Sequence, residues 1–475
     1  MSLNSFSFLC LFFFISALML ILQLLRKKAS IIVQIQLFLL LLFGYVLIFL
    51  SDWRFCVCIV FITILSFVFG LWLEKKRNKV ILFLGSSILI LFLGYFKYAG
   101  FFINSFRRVL GFDTVSVSII LPLGISFYTF SALAYLIDVF RNDYPAERNL
   151  LHFALFISFF PKLTAGPIVR GKTFFPQVKE YRGIEWEAFK AGIQIFVFGL
   201  FKKMVLADHL GVFVDDVFHS PTAFNTGTVI LATFSYSLQI YYDFSGYSDM
   251  AIGISKIWGF DFEKNFNLPY VAQNVSEFWK RWHISLSTWF QDYLYIPLGG
   301  NRKGKARTYL NLILVMIISG LWHGSGWTFI IWGLFHGIAS CVSKAFGNKM
   351  KKLGPYANGV ITFIFVTLCW VVFRANSFSK ACEVWKGMFT LHTGINQPYT
   401  WSFFAIICLI SSTIVAKIKR NKSGSNSDSG SIVVNGFYPV LDLSKFWSLV
   451  VFFTFCGLTI IMGYYGNTAF IYGAF

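Results

Sequence analysis

The sequence predicts an all-α, polytopic integral membrane protein: one helical bundle of roughly ten to twelve embedded segments, some of them re-entrant. Two observations carry this. Of the 475 residues, 57% are hydrophobic and 13% are charged, whereas a soluble domain carries about a quarter charged residues. The apolar residues also come in long runs separated by short Lys/Arg clusters, and no stretch reads as a separate soluble domain.

Ser5–Leu25 is apolar, with no basic residue before it and Arg26, Lys27 and Lys28 after it. A cleaved signal peptide has the opposite charge order, so this run is expected to be a retained first helix with its N-terminus outside. Ile31–Leu50, Phe55–Leu73 and Val80–Tyr95 complete four spans. The clusters Arg26-Lys27-Lys28 and Lys75-Lys76-Arg77 then fall on one side, the cytoplasmic one. Past Lys97 the basic residues no longer alternate cleanly between sides, which predicts helices that dip into the bilayer or lie on its surface.

Leu121–Phe140 is apolar but rich in the small and hydroxyl residues that suit close helix packing. Phe159–Arg170 carries two prolines and a glycine, the makeup of a re-entrant or broken element. Ala188–Ala207 reads as another span, and Thr226–Phe260 as an unusually polar membrane segment. Val360–Phe373, Phe403–Ile418 and Phe446–Met462 are the last spans, and the Ser/Gly/Asn-rich stretch 419–435 is expected to be a flexible loop.

Several functions are disfavoured at once. The formal net charge is +20, but the basic residues are spread between apolar runs, so they orient the chain in a membrane rather than recruit nucleic acid. Lipid is the expected surrounding. The eight cysteines form no CxxC pair and no spaced zinc framework, so no metal site is expected. HExxH, P-loop and GxGxxG signatures are missing, which leaves a metalloprotease or a nucleotide-driven pump without support.

The informative stretch is Phe278–Gly337. No Asp, Glu, Lys or Arg occurs from Thr308 to Ser343, a run too long for one straight crossing of roughly 20 residues. The break Gly324-Ser325-Gly326 predicts a helix, a bend and a second helix, with His323 beside the broken backbone. An ionisable side chain at such a place is a functional candidate. With His283 upstream, two imidazoles are available to take a proton from a hydroxyl while an acyl group moves onto its oxygen. The thiolate of a thioester donor leaves without needing a proton. No Gly-x-Ser-x-Gly elbow is present, so a serine acyl-enzyme is not expected. A membrane histidine also serves to bridge helices, a reading that suits His336 best. Asp243 and Asp249 are costly in a membrane unless paired, so ion pairing with Lys or Arg stands beside a role in lining a polar passage.

The segment FWKRWHISLSTWFQDYLYIPLGGNRKG (Phe278–Gly304), followed by SGLWHG and WGLFHG, closely resembles the membrane-bound O-acyltransferase (MBOAT) family, and within it the bacterial alginate O-acetyltransferase branch. PLGISFYTFSALAYLIDVFR (Pro122–Arg141), FPKLTAGPIVR (Phe160–Arg170), SLQIYYDFSGYSDMAIG (Ser237–Gly253), NFNLPYVAQNVSEFW (Asn265–Trp279) and FRA (Phe373–Ala375) agree, in order, over most of the chain.

The resemblance implies one membrane domain over 1–475 around a central funnel or tunnel. N-terminal helices occupy 1–115, a catalytic core 116–375 with its motif segment at 278–337, and C-terminal helices 376–475. It makes His323, in the WHG motif, the catalytic histidine and His283 the second. Trp279, Arg281, Trp282 and Trp322 are then expected to shape the donor passage, with Asp243 and Asp249 as its polar lining.

The same resemblance implies no tightly bound cofactor, with acetyl-CoA as the cytoplasmic acyl donor. It also implies an extracytoplasmic partner of the SGNH-hydrolase type, an exported polysaccharide as acceptor, and residence in the cytoplasmic (inner) membrane. The PLGGNR continuation (Pro297–Arg302) favours polysaccharide acetylation over D-alanyl transfer to teichoic acid. The latter, peptidoglycan O-acetylation and a transporter without bond chemistry remain the alternatives. Gly473 in the C-terminal FIYGAF is a departure from the branch, with nothing catalytic attached to it.

Overall fold

Four long apolar helices begin the chain: α1 (Phe6–Leu24), α2 (Ala29–Ser51), α3 (Trp53–Lys75) and α4 (Lys79–Val109). The turns between the last three are tight because side chains cap the helices that follow. Asp52 accepts from the Arg54 backbone N–H, and Asn78 from that of Val80 at 2.8 Å, each satisfying a donor that the first turn of a helix leaves without a partner. In this computed structural model residues 3, 5–24, 29–115, 117, 119–423, 440–466 and 471 are described. The cluster Arg26-Lys27-Lys28, most of the expected loop (424–435) and Gly473 lie outside the described residues.

Then come α5 (Ile125–Arg141), α6 (Leu150–Ser158) and α7 (Gly171–Lys179). Between α6 and α7 the chain makes only a short 3-10 turn at Phe160–Lys162 and stays buried without regular structure towards Arg170. Pro161 and Pro167 have no N–H to offer a helix, so the expected broken element is what forms.

Helix α8 (Trp186–Phe201) passes into a π-helical turn at Lys202–Ala207 and then α9 (Asp208–His219). The expected span Ala188–Ala207 is therefore helical throughout, with its last turn wound as a π-helix. The physical reason is polar: the turn carries Lys202 and Lys203 towards carboxylates on α10 (Thr226–Ile257). Every residue of α10 from Ser235 to Ile257 is buried. Its polar sequence is tolerable in a membrane because protein, rather than lipid, surrounds it.

The chain continues through α11 (Val275–Arg281), α12 (Ile284–Phe290), a π-helical turn at Gln291–Tyr295, α13 (Gly304–His323) and α14 (Trp327–Met350). It ends with α15 (Pro355–Arg374), α16 (Phe378–Phe389), α17 (Thr400–Ser423) and α18 (Phe446–Met462). Residues 419–423 of the expected loop prolong α17 instead. Among the described residues, six helices are long and apolar enough to cross a membrane: α1 to α4, α14 and α15. The chain is thus an all-α, multi-pass membrane bundle with a buried polar helix, α10, inside it.

Candidate active site

The hairpin of α13 and α14 is built on glycine. A Cβ added at Gly320 would run into the Phe329 carbonyl, and one at Gly333 into that of Met316; at Gly337 it would lie 2.9 Å from the Ile313 Cα. Small residues are how membrane helices approach this closely. The pairing 313/337, 316/333 and 320/329 makes the two helices antiparallel about the Gly324–Gly326 break, as the spacing predicts. His323 ends α13 at the tip and is 3% exposed.

Around His323 the rings close in. Trp332 of α14 stands perpendicular to it at 5.3 Å between centroids, and Phe373 of α15 lies at 5.5 Å. Trp322 packs edge-on against Phe127 of α5 at 5.3 Å and beside Phe130 at 5.5 Å.

His283 comes from another direction. It is the residue before α12 and sits in the left-handed region (φ 45°, ψ 56°), which residues other than Gly, Asn, Asp and His seldom adopt. Asn265 holds this turn in place. Its carbonyl accepts from Ile284 N–H at 2.9 Å, its side-chain oxygen accepts from Ser285 Oγ at 2.6 Å, and its side-chain nitrogen donates to Ser248 of α10 at 3.1 Å. The His283 ring, fully buried, meets Phe244 edge-on at 4.7 Å and Trp322 at 5.9 Å. Its centroid lies 6.3 Å from that of His323. Two histidines far apart in sequence therefore share one aromatic cluster.

The other predicted residues divide. Trp282 is buried among Phe278, Phe266 and Trp370, at 5.5, 5.0 and 4.9 Å. Trp279 donates its indole N–H to Nδ1 of His336 at 3.2 Å. Arg281 turns to Glu277 at 2.8 Å and to the Asn267 carbonyl at 3.1 Å. Asp243 pairs with Lys203 at 2.7 Å and Asp249 with Lys202 at 2.6 Å, so the ion-pair alternative is realised for both. Along the far flank of α12 a cavity of about 300 Å³ is lined by Ile168, Arg170, Lys172, Ser285, Thr288 and Asp292.

Two residues escaped the sequence reading. Lys97, inside the apolar α4, sends its ammonium to the carbonyls of Trp322 (2.6 Å) and His323 (3.2 Å), and Tyr98 donates to that of Leu321 at 2.8 Å. The available signal was Lys97 itself, a lone cation within a span.

Comparison with known proteins identifies the family. Residues 2–378 match the family described as MBOAT, membrane-bound O-acyltransferase family. The probable alginate O-acetylase of Pseudomonas aeruginosa is 42% identical over 369 residues, covering 75% of this chain and 70% of that protein. That of Pseudomonas putida is 44% identical over 317 residues, 65% of this chain and 64% of the relative. The peptidoglycan O-acetyltransferase of Helicobacter pylori is 41% identical over 345 residues, 66% of each. With the match spanning more than half of its length, this chain is a membrane O-acyltransferase belonging to the MBOAT family.

Proposed function

We propose that the chain transfers an acetyl group from a cytoplasmic thioester donor, acetyl-CoA, for O-acetylation of an exported or cell-surface polysaccharide. The observation that carries this is the approach of the His283 and His323 ring centroids to 6.3 Å within one buried aromatic cluster. His323 takes the proton of the attacking hydroxyl; the oxygen forms its bond to the acetyl carbon as the carbon–sulfur bond breaks. The electron pair leaves on the thiolate, which receives the proton as the donor's free thiol. His283 assists or positions from the other side of the reacting group. Trp279, Trp282 and Trp322 shape the passage, and the surrounding rings exclude water that would otherwise hydrolyse the thioester.

The same reading gives the fold its finer form. The three shorter apolar helical stretches and the helices without a lipid face sit in the membrane with the six spans, making roughly ten to twelve embedded segments around a funnel. An extracytoplasmic acetyltransferase of the SGNH type receives the acetyl group on the far side and places it on the polymer. Relatives named for alginate and for peptidoglycan make a second acceptor, peptidoglycan, the reading to test beside the first.

The test is the acetyl-ester content of exported polysaccharide and of peptidoglycan in wild type, a deletion strain, and the deletion carrying wild type or His323→Ala, with membrane abundance measured in parallel. Loss of polysaccharide ester on deletion, restored by wild type but not by a normally abundant His323→Ala, supports the proposal. Full restoration by His323→Ala overturns the mechanism and revives the transporter. Loss of peptidoglycan ester alone moves the acceptor, and no change in either directs attention to D-alanyl esters.

A further inference from the structure

Lys97 is the only Asp, Glu, Lys or Arg between Lys79 and Arg107, in a helix that is long and apolar enough to cross a membrane. A cation in such a place is expensive unless protein surrounds and pairs it. Here the ammonium has three hydrogens and meets three oxygens: the carbonyls of Trp322 and His323, at 2.6 and 3.2 Å, and Ser126 Oγ at 3.4 Å. It also lies 5.7 Å from the centre of the Trp322 ring.

The two carbonyls are no arbitrary pair. They belong to the peptide planes immediately before and after the His323 Cα. Both are at the end of α13, where the chain breaks and a helix has no amide of its own left to bond them. A cation there also meets the negative end of the helix dipole. Holding both carbonyls restrains the backbone dihedrals of His323, and with them the direction of its Cα–Cβ bond. Tyr98, next along α4, takes the carbonyl of Leu321. One turn of α4 thus caps the end of α13 from outside.

We propose that Lys97 is a positioning residue for acyl transfer: by pinning the peptides on both sides of His323 it aims the imidazole towards the aromatic cluster that His283 shares. It acts through the backbone and touches no reacting atom. The proposal rests on the role of His323 given above.

The experiment measures acetyl ester per unit of membrane-resident protein in the deletion strain carrying wild type, Lys97→Met, Lys97→Arg, Tyr98→Phe or His323→Ala. Lys97→Met keeps the length of the side chain and removes every donor; its ester per protein is expected to fall at least roughly tenfold. Lys97→Arg, which restores donors to the same carbonyls, is expected to recover to within roughly threefold of wild type. Tyr98→Phe, which frees a carbonyl that does not flank His323, is expected to lose less than Lys97→Met.

A merely structural lysine would give a different result: Lys97→Met would be less abundant, with unchanged ester per remaining protein. That outcome overturns the proposal, as does an Arg variant that is abundant yet no better than Met. If Lys97→Met is too scarce to assay, the comparison of Lys97→Arg with Tyr98→Phe decides by the same ratio. Full activity in His323→Ala would instead sink the underlying mechanism, whereas loss there with full activity in Lys97→Met sinks the positioning role alone.

Discussion

Nδ1 of His336 accepts the indole N–H of Trp279 at 3.2 Å, a bond that ties α14 to α11. The His336 ring lies against Trp332 at 4.8 Å and Phe365 at 5.6 Å. It stands one aromatic ring away from His323 without sharing the His283 face. This arrangement gives His336 the work of a brace, whereas His323 meets His283.

Trp279→Phe keeps most of the ring packing and removes the donor. Leaving a buried acceptor without its partner costs about 1–3 kcal/mol. The detergent-solubilised variant is expected to unfold a few degrees lower, with acetyl ester per protein within roughly twofold of wild type. Loss of ester at unchanged thermal stability would transfer His336 and Trp279 from bracing to chemistry.

His283 separates a backbone demand from a side-chain demand. A left-handed conformation costs an ordinary L-residue roughly 1–2 kcal/mol, and Asn and Gly escape most of it. His283→Asn and His283→Gly should therefore accumulate in the membrane as well as wild type, and His283→Val should not. If the imidazole takes part in proton transfer, all three lose ester, by about a hundredfold or more. An abundant and active His283→Asn would show that the site asks only for the turn.

What was legible beforehand follows from where each segment lies. Helices α1 to α4 present much of their length to lipid, and lipid imposes an unbroken apolar run that hydropathy reads directly. The tip of the α13–α14 hairpin was legible because Gly324-Ser325-Gly326 interrupts such a run. The meeting of His283 with His323 was not, since it depends on a left-handed turn anchored by Asn265 and, through it, Ser248. Lys97 was passed over for a related reason: its value lies in two carbonyls at the end of another helix, and backbone oxygens leave no mark in a sequence. The π-helical turn that closes Ala188–Ala207 was hidden too, because Lys202 and Lys203 read as the end of a span until their carboxylate partners on α10 are known.

Those partners make a sharp prediction. Lys202 and Asp249 lie 2.6 Å apart with side chains 13% and 8% exposed. Removing one member of a buried pair costs about 3–5 kcal/mol because a charge is stranded, while replacing both by apolar groups of similar volume is often close to neutral. Asp249→Leu should deplete the protein from the membrane, and the double variant Lys202→Met with Asp249→Leu should restore it. Ester per protein in the double variant then reports on Asp249 itself. Normal ester leaves the carboxylate a structural role; abundant but inactive protein would return it to the polar lining of the passage.

The seam between α8 and α10 depends on four glycines that meet in antiparallel register. A Cβ on Gly199 would lie 2.5 Å from the Gly246 carbonyl oxygen, and one on Gly246 would lie 2.7 Å from that of Gly199. Gly192 and Gly253 repeat the relationship one heptad away, at 2.6 and 2.7 Å. Both approaches are to backbone, which cannot rotate aside as a side chain can, so even alanine must push the helices apart. That displacement would carry Phe244, and the His283 ring against it, away from its present seat. Gly199→Ala and Gly246→Ala are each expected to lower both membrane abundance and ester content, by about 1–3 kcal/mol of overpacking. Gly94→Ala in α4, where nothing lies within 4 Å of the added carbon, is the matched control and should be neutral or slightly stabilising through helix propensity. Quantifying the three variants in isolated membranes by immunoblot and by ester release decides the matter; equal behaviour of all three would mean that the seam tolerates separation and that α10 is not held by it.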